Sequence, residues 1–117
     1  MAQPNIVNVT TIRGNTAVAN VTNVMTSIVT NSASSGSVYK VNALYVSNYD
    51  TGNVANVTVS IFRNNYDYYV ANLVSIPIQS TLDLISKAVY LQESDSLRIA
   101  ASANNRLQAV CSYEDIS

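Results

Sequence analysis

The sequence predicts an all-β fold with about eight or nine antiparallel strands, either a β-sandwich of the jelly-roll kind or a barrel. Strand-type runs rich in Val, Ile, Thr and Tyr recur roughly every ten residues. No stretch keeps a helical spacing of apolar residues over about three turns with capping signals. One strand pair, residues 37–48 and 54–63, alternates apolar and polar side chains around a short Asp-Thr-Gly-Asn turn. These three observations together favour stacked sheets over helices.

The first strand of this pair contains a break in its alternation. Val38 and Val41 lie three positions apart and are therefore out of phase with a simple period of two. One inserted residue would restore the period of two, so the pattern predicts a β-bulge at residues 40–42.

The chain before this pair is also strand-like. Residues 6–12 alternate and are followed by Arg-Gly-Asn at 13–15, which predicts a turn. Residues 16–30 are rich in Val, Thr and Ala and predict either one bent strand or two. The composition of residues 31–36 (NSASSG) predicts a loop.

The chain after the pair continues in short runs. Asn64 and Asn65 precede a tyrosine cluster and then residues 70–78, where Pro77 marks an edge or a strand end. Residues 82–89 admit a short helix, but their β-favouring neighbours favour a strand and a turn. The further strand-type runs are residues 81–85, 88–91, 97–101 and 107–113.

Length and composition predict a single domain, residues 1–117, that belongs to an assembly. Apolar residues make up 48% of the chain, enough for a core. Charged residues make up 11%, against about 25% in ordinary soluble domains. Because low charge weakens repulsion between copies, the composition favours a homo-oligomer or a component of a larger particle.

Several classes of partner are disfavoured. The net charge is −1 and the six basic residues are scattered, so no nucleic-acid footprint is expected. No run approaches the roughly 18 apolar residues of a membrane span, and the N-terminus lacks the pattern of a signal peptide. Neither a nucleic-acid partner nor a membrane is therefore expected.

The residues that usually carry catalysis are scarce. The chain has no histidine, which disfavours nucleophilic triads and zinc sites, and its acidic turn residues, such as Asp50 and Glu93, do not reproduce a calcium loop. Its single cysteine, Cys111, shares a predicted strand face with Leu107 and Ala109 and is interpreted as a small buried hydrophobe. We expect no enzyme activity, no cofactor and no metal.

The tyrosines are the main candidates for a binding role. Eight of the nine aromatic residues are tyrosine, a side chain that suits interfaces. Tyr66, Tyr68 and Tyr69 form a candidate contact patch for a protein or a carbohydrate. The alternative is a sheet face covered by rings whose hydroxyls bind water or backbone. The remaining strand tyrosines are predicted to pack in the core or across strands: Tyr39, Tyr45, Tyr90 and Tyr113.

The N-terminus offers a second candidate contact. Residues 1–9 are interpreted as a candidate arm, within which Ile6 and Val7 begin the alternating run 6–12. Such a run is suited to pairing with the sheet edge of another chain. The alternative is a frayed end before the first strand.

Five segments resemble those of one group of proteins: residues 39–48, ending in YVSN; 57–61 (VTVSI); 76–84 (IPIQSTLDL); 91–102; and 112–116 (SYEDI). Together they make the chain from residue 26 onward, about 90 of its 117 residues, similar to small virion structural proteins of tailed bacteriophages, especially those of marine and cyanobacterial hosts. The chain departs from that pattern at Ser34–Ser37, in place of a Pro-Ala-Gly or Pro-Ala-Asn turn, and at Ser94-Asp95, in place of Gly-Asp.

The resemblance implies a β-sandwich located in the virion and assembled in the host cytoplasm. It implies a non-enzymatic role, such as an oligomeric capsid cement or decoration protein that bridges capsomers. Its partners would be the major capsid protein or other virion proteins, and a trimer is expected by analogy. The alternatives are a neck, collar or tail component forming a ring, and a carbohydrate-binding module of a host-adhesion device.

Overall fold

The computed structural model describes residues 11–117, and within this part of the chain there are nine β-strands and no helix. The strands are β1 Ile12–Val21, β2 Thr26–Thr30, β3 Val38–Asn48, β4 Ala55–Arg63, β5 Tyr66–Ile76, β6 Thr81–Asp83, β7 Val89–Leu91, β8 Ser96–Ala101 and β9 Leu107–Ile116. Every strand pair is antiparallel, so the predicted all-β antiparallel fold is confirmed.

The strands form two sheets with a jelly-roll order. The first sheet has the order β1-β9-β3-β6, with β7 also paired to β3, and the second has the order β2-β8-β4-β5. The chain changes sheets at every connection except the β4–β5 hairpin and the β6–β7 segment. This interleaving closes one sheet over the other and places β1, β2, β5 and the short β6 and β7 at the edges.

The core lies between the two sheets because each strand turns alternate side chains inward. In β9, Leu107, Ala109 and Cys111 are buried, whereas Gln108 and Val110 are exposed. Removing one large apolar side chain from water contributes roughly 1.5–3 kcal/mol. The prediction of a buried Cys111 is confirmed, and the thiol is free.

The predicted bulge in β3 is confirmed. The pairing of β3 with β9 shifts between Val41 and Ala43, which leaves Asn42 exposed as the extra residue. The shift explains how Val41 and Leu44 both face the core although they lie three positions apart.

The start of the chain differs from the prediction. Residues 13–15 do not form a turn; they lie inside β1, where Gly14 pairs with Glu114. Ten consecutive residue pairs with β9 outweigh the local turn preference of Arg-Gly-Asn, because pairing of the two strands stabilises the extended conformation of the whole segment. The run 16–30 forms two strands in different sheets, and the predicted run 6–12 lies mostly outside the described residues.

The later segments follow the prediction more closely. Residues 82–89 contain the end of β6 and the start of β7, with no helix between them. Strand β5 ends at Ile76, directly before Pro77. The predicted turn after β3 is confirmed, and within it the Gly52 N–H donates to Asp50 Oδ1 at 2.9 Å.

Two buried asparagines fasten loops to the sheets. Asn31 Nδ2 donates to the carbonyls of Ser37 and Leu91 at 3.0 and 2.9 Å. Asn48 Nδ2 donates to the carbonyls of Asn53 and Ile76 at 2.9 and 3.1 Å. Because buried polar groups must be hydrogen-bonded, each asparagine side chain satisfies one carbonyl in a loop and one at the end of a strand.

Candidate protein-contact surface

The predicted tyrosine patch lies on β5, an edge strand of the second sheet. The Asn64-Asn65 turn that precedes it has positive φ at both residues, 54° and 65°. A two-residue hairpin loop needs such angles, and asparagine tolerates them better than most residues. The turn therefore begins β5 at Tyr66, and Tyr66, Tyr68 and Tyr69 are each more than half exposed.

The three tyrosines do not share one face of the sheet. Tyr66 pairs with Arg63 and Tyr68 pairs with Ile61, whereas Tyr69 pairs with Ser60 on the opposite face. Opposed residues in an antiparallel pair point to the same side. Tyr66 and Tyr68 therefore lie on the side of the sheet that faces the other sheet, and Tyr69 lies on the outer side.

The inner side carries a small open depression. It has a volume of about 250 Å³ and is lined by Ile61, Arg63 and Tyr68. Arg63 is fixed there by Asp95, since Arg63 Nε donates to Asp95 Oδ1 at 2.9 Å. The depression thus combines an aliphatic side chain, an aromatic ring and a cation held in place, which suits a partner side chain with both apolar and acceptor atoms.

On the outer side of the second sheet, polar side chains form a compact cluster next to Tyr69. Asp67 Oδ1 accepts from Ser60 Oγ at 2.8 Å and from Arg98 Nη1 at 3.2 Å. The Arg98 guanidinium lies 4.6 Å from the centre of the Phe62 ring, a cation–π contact. These contacts join β4, β5 and β8, so the strand that carries the tyrosines is held firmly.

Two further exposed apolar residues extend the same edge. Val70 and Leu73 are 36% and 64% exposed. The β4–β5 pairing shifts twice, between Val57 and Val59 and between Val59 and Ser60, and both shifts insert extra residues into β5. Leu73 has φ of 54°, and its N–H donates to Thr58 Oγ1 at 3.2 Å. The bulges turn Leu73 outward.

We name this set of residues the β5 surface: Tyr66, Tyr68, Tyr69, Val70 and Leu73. The sequence identified the tyrosines by their clustering but not Val70 or Leu73, which read as part of an ordinary strand. The only signal for an edge was Pro77. Ile6 and Val7, the other predicted contact residues, lie outside the described residues.

The other strand tyrosines divide into two kinds. Tyr39 and Tyr113 pack against each other with ring centres 5.3 Å apart, as predicted, and burial raises the pKa of both phenols. Tyr45 and Tyr90 lie on the surface rather than in the core, at 45% and 42% exposure. Tyr45 still has an apolar cross-strand partner, Val110.

The described part of the chain offers little metal chemistry. Within residues 11–117, no three His, Cys, Asp or Glu side chains cluster in a way that would hold a metal ion. The same residues contain no helix long and apolar enough to span a bilayer.

Comparison with known proteins gives matches at the level of the fold. No protein-family model matches the chain, and none of the curated proteins does. One similar solved structure comes from the Bacillus endospore appendages, described as a novel family of disulfide-linked pili. It has a TM-score of 0.55 and 13% identity, and the match covers 92% of this chain and 88% of that one.

A second similar structure belongs to the acidic stable capsid of Helicobacter pylori bacteriophage KHP30. Its TM-score is 0.53 at 9% identity, and the match covers 94% of this chain and 90% of that one. At such identities the likeness establishes a shared fold. The jelly-roll sandwich of this chain is therefore one that also occurs in a spore pilus and in a phage capsid structure.

Proposed function

We propose that the chain is a non-enzymatic structural protein of a phage particle, an oligomeric cement or decoration protein that bridges neighbouring capsomers. Its location would be the virion, and its partners would be the major capsid protein or other virion proteins. Its role would be mechanical: a stiff sandwich buries its own surface against the partners and resists their separation.

The observation that carries the proposal is the β5 surface. Five large apolar or aromatic side chains are exposed along one edge strand. Tyrosine is enriched at protein interfaces because its ring buries area and its hydroxyl keeps a hydrogen-bond partner. An exposed row of this kind is typical of a binding surface.

The support beneath that surface fits a mechanical role. Ion pairs hold both sides of it, Arg63 with Asp95 and Arg98 with Asp67. A surface that is already ordered loses less conformational entropy on binding, which leaves more of the contact energy for affinity. The low charge of the chain also permits close packing among neighbours.

The structural comparisons support the same class. Both reported neighbours belong to assemblies, one a pilus and one a capsid, and both matches span nearly the whole of each chain. The resemblance of residues 26–117 to virion proteins of tailed phages points in the same direction. The cement role is more specific than this class, and its support is the exposed β5 surface together with that resemblance.

The oligomeric form is part of the proposal. A trimer suits the three-fold positions of a capsid, and a head-to-tail ring suits a neck, collar or tail. Either form would assemble on the particle. Native mass spectrometry of complexes released from the particle separates them, because a trimer has three copies and a ring of the neck or tail has more.

A carbohydrate-binding role is the second class considered. Jelly rolls include lectin domains, so the fold permits it. However, sugar platforms stack aromatic rings on one side of a sheet, and here Tyr69 lies on the face opposite Tyr66 and Tyr68. This geometry favours a protein partner that wraps around the edge strand.

Binding to purified empty particles of the phage that encodes the chain tests the proposal. Co-sedimentation is measured for the wild type and for a triple variant with Tyr66→Ala, Tyr68→Ala and Tyr69→Ala. We expect saturable binding that weakens at least tenfold in this variant, since buried aromatic anchors dominate interface energy. The matched control replaces three other exposed tyrosines, Tyr45, Tyr49 and Tyr90, with alanine.

The control should bind like the wild type. Absence of capsid binding by the folded wild-type chain would refute the cement role, and equal loss in both triple variants would remove the β5 surface from it. A glycan titration run in parallel separates the carbohydrate class, which requires a saturable sugar response that the β5 variant loses. Removing residues 1–9 tests Ile6 and Val7 as additional contacts.

A further inference from the structure

The four edge regions of the sandwich are not alike. Strand β5 carries two bulges, and β2 has five residues with a register shift. Strands β6 and β7 have three residues each. Short length and bulges are the devices by which proteins prevent an edge strand from pairing with another chain.

Strand β1 has none of these devices. It runs ten residues, IRGNTAVANV, with an unbroken register against β9, no proline and one charge, at Arg13. Among residues 11–117, β9 is its only paired neighbour, and no strand of this part of the chain pairs with the row of backbone donors and acceptors on the other edge of β1. Such an edge is a template for a further antiparallel strand.

The outer face beside this edge is apolar and uncharged at its centre. Val18 on β1 lies opposite Val110 on β9, and Val110 lies opposite Tyr45 on β3. These three side chains form a row that ends at the open edge, where Val18 is 73% exposed. Beside the row, Gln108 Nε2 donates to Asn20 Oδ1 at 3.0 Å, so the flanking polar groups are neutral.

We infer that β1 pairs antiparallel with β1 of a second copy of this chain, around a two-fold axis at Val18. In that register Val18 meets its own counterpart, and Ala17 meets Ala19. The apolar row then continues from one copy into the other. This inference is independent of the capsid role proposed above.

The sequence of β1 is self-complementary in this register, which is why a second copy is the occupant. Thr16 opposes Asn20, and Arg13 opposes Asn23 beyond the strand, so like charges never meet. Pairing covers Val18, which has the highest exposed fraction among the large apolar side chains of residues 11–117. The two first sheets join into one continuous sheet with an isologous interface.

The size of the contact sets its expected strength. A strand of this length extends about 33 Å. Pairing along it should bury on the order of 500 Å² of accessible surface on each partner. That lies below the roughly 800 Å² per partner of a standard interface, so the dimer should be weak and concentration-dependent.

Sedimentation velocity of the full chain from about 1 to 500 μM tests the inference, with Val18→Lys as the disrupting variant. The wild type should shift from monomer toward dimer across this range, and Val18→Lys should remain monomeric at every concentration. Val54→Lys, at an exposed site between β3 and β4, is the matched control and should dimerise like the wild type. Circular dichroism and Tm confirm that each variant is folded.

A Val18→Cys variant tests the register. Opposed residues in an antiparallel pair lie about 4.5 or 5.5 Å apart, and both distances permit a disulfide. Native Cys111 is fully buried, so Val18→Cys adds the accessible thiol and should give a covalent dimer on mild oxidation, whereas Val54→Cys should not. A monomeric wild type, dimerisation of Val18→Lys, or a dimer that Val18→Cys fails to cross-link would each overturn the inference.

Discussion

Arg63 and Asp95 form a two-pronged ion pair that ties the end of β4 to the turn before β8. Arg63 Nε donates to Asp95 Oδ1 at 2.9 Å, and Arg63 Nη2 donates to Asp95 Oδ2. Asp95 Oδ2 also accepts from the Gln92 N–H at 2.7 Å, and the Asp95 side chain is only 3% exposed. Because Arg63 pairs with Tyr66, this contact also fixes the start of the β5 surface.

Replacement of Asp95 by alanine should lower the free energy of unfolding by about 2–4 kcal/mol, because it leaves Arg63 and the Gln92 N–H without their acceptor. Urea denaturation followed by circular dichroism measures the loss. Asp67→Ala is the control, since Asp67 pairs with Arg98 at a more exposed site and should lose less than about 1.5 kcal/mol. Equal losses in the two variants would contradict the role assigned to burial.

Asn31→Ala should destabilise the fold by about 2–4 kcal/mol, since it removes the side-chain amide that donates to the buried carbonyls of Ser37 and Leu91. It also removes the acceptor for Ser35 Oγ. Asn42→Ala, at the exposed bulge residue of β3, should change stability by less than about 0.5 kcal/mol. Thermal and urea unfolding of the two variants provide the comparison, and a neutral Asn31→Ala would show that water replaces the lost bonds.

Cys111 should resist thiol reagents in the folded protein. Burial raises the pKa of its thiol to about 11, and the side chain is fully buried, so both thiolate and access are lacking near pH 8. A colorimetric disulfide reagent should react only as the chain unfolds in denaturant. Rapid labelling of the native protein would show that β9 opens locally.

The raised pKa of Cys111 also predicts a pH dependence of stability. A thiol whose pKa is higher in the folded than in the unfolded state stabilises the fold fully below the unfolded value of about 8.5. That contribution is lost as pH rises toward the folded value of about 11. Wild type should therefore lose more stability than Cys111→Ala between pH 8.5 and 11, measured by urea unfolding. Tyr39 and Tyr113, whose pKa values are also raised, act in the same direction in both proteins.

The strands with alternating side chains could be predicted from the sequence, because burial of every second position produces an alternation of apolar and polar residues. The β3 bulge could be predicted for the same reason: Val41 and Leu44 both had to face inward. Residues 13–15 have the composition of a turn, but their conformation depends on the ten pairs between β1 and β9, whose partners lie about a hundred residues later in the chain. Local composition carries no information on that pairing.

The candidate site could be predicted only in part. Clustering identified Tyr66, Tyr68 and Tyr69, but their distribution over two faces depends on the register with β4. The outward position of Leu73 depends on bulges that only the β4 pairing reveals, and a leucine at positive φ has no sequence signature. Sequence patterns are therefore least informative about the side-chain orientation of edge strands, because an edge strand pairs with a neighbouring strand along only one of its two edges.

Leu73 offers a test that separates stability from binding. A non-glycine residue in the left-handed region costs roughly 1 kcal/mol, and glycine does not bear this cost. Leu73→Gly should therefore be about 1 kcal/mol more stable than Leu73→Ala in urea unfolding, because both variants lose the same exposed side chain. If the β5 surface binds the particle, both variants should lose capsid affinity to a similar extent despite their different stabilities. Affinity that instead followed stability would show that Leu73 acts by shaping β5 rather than by contacting the partner.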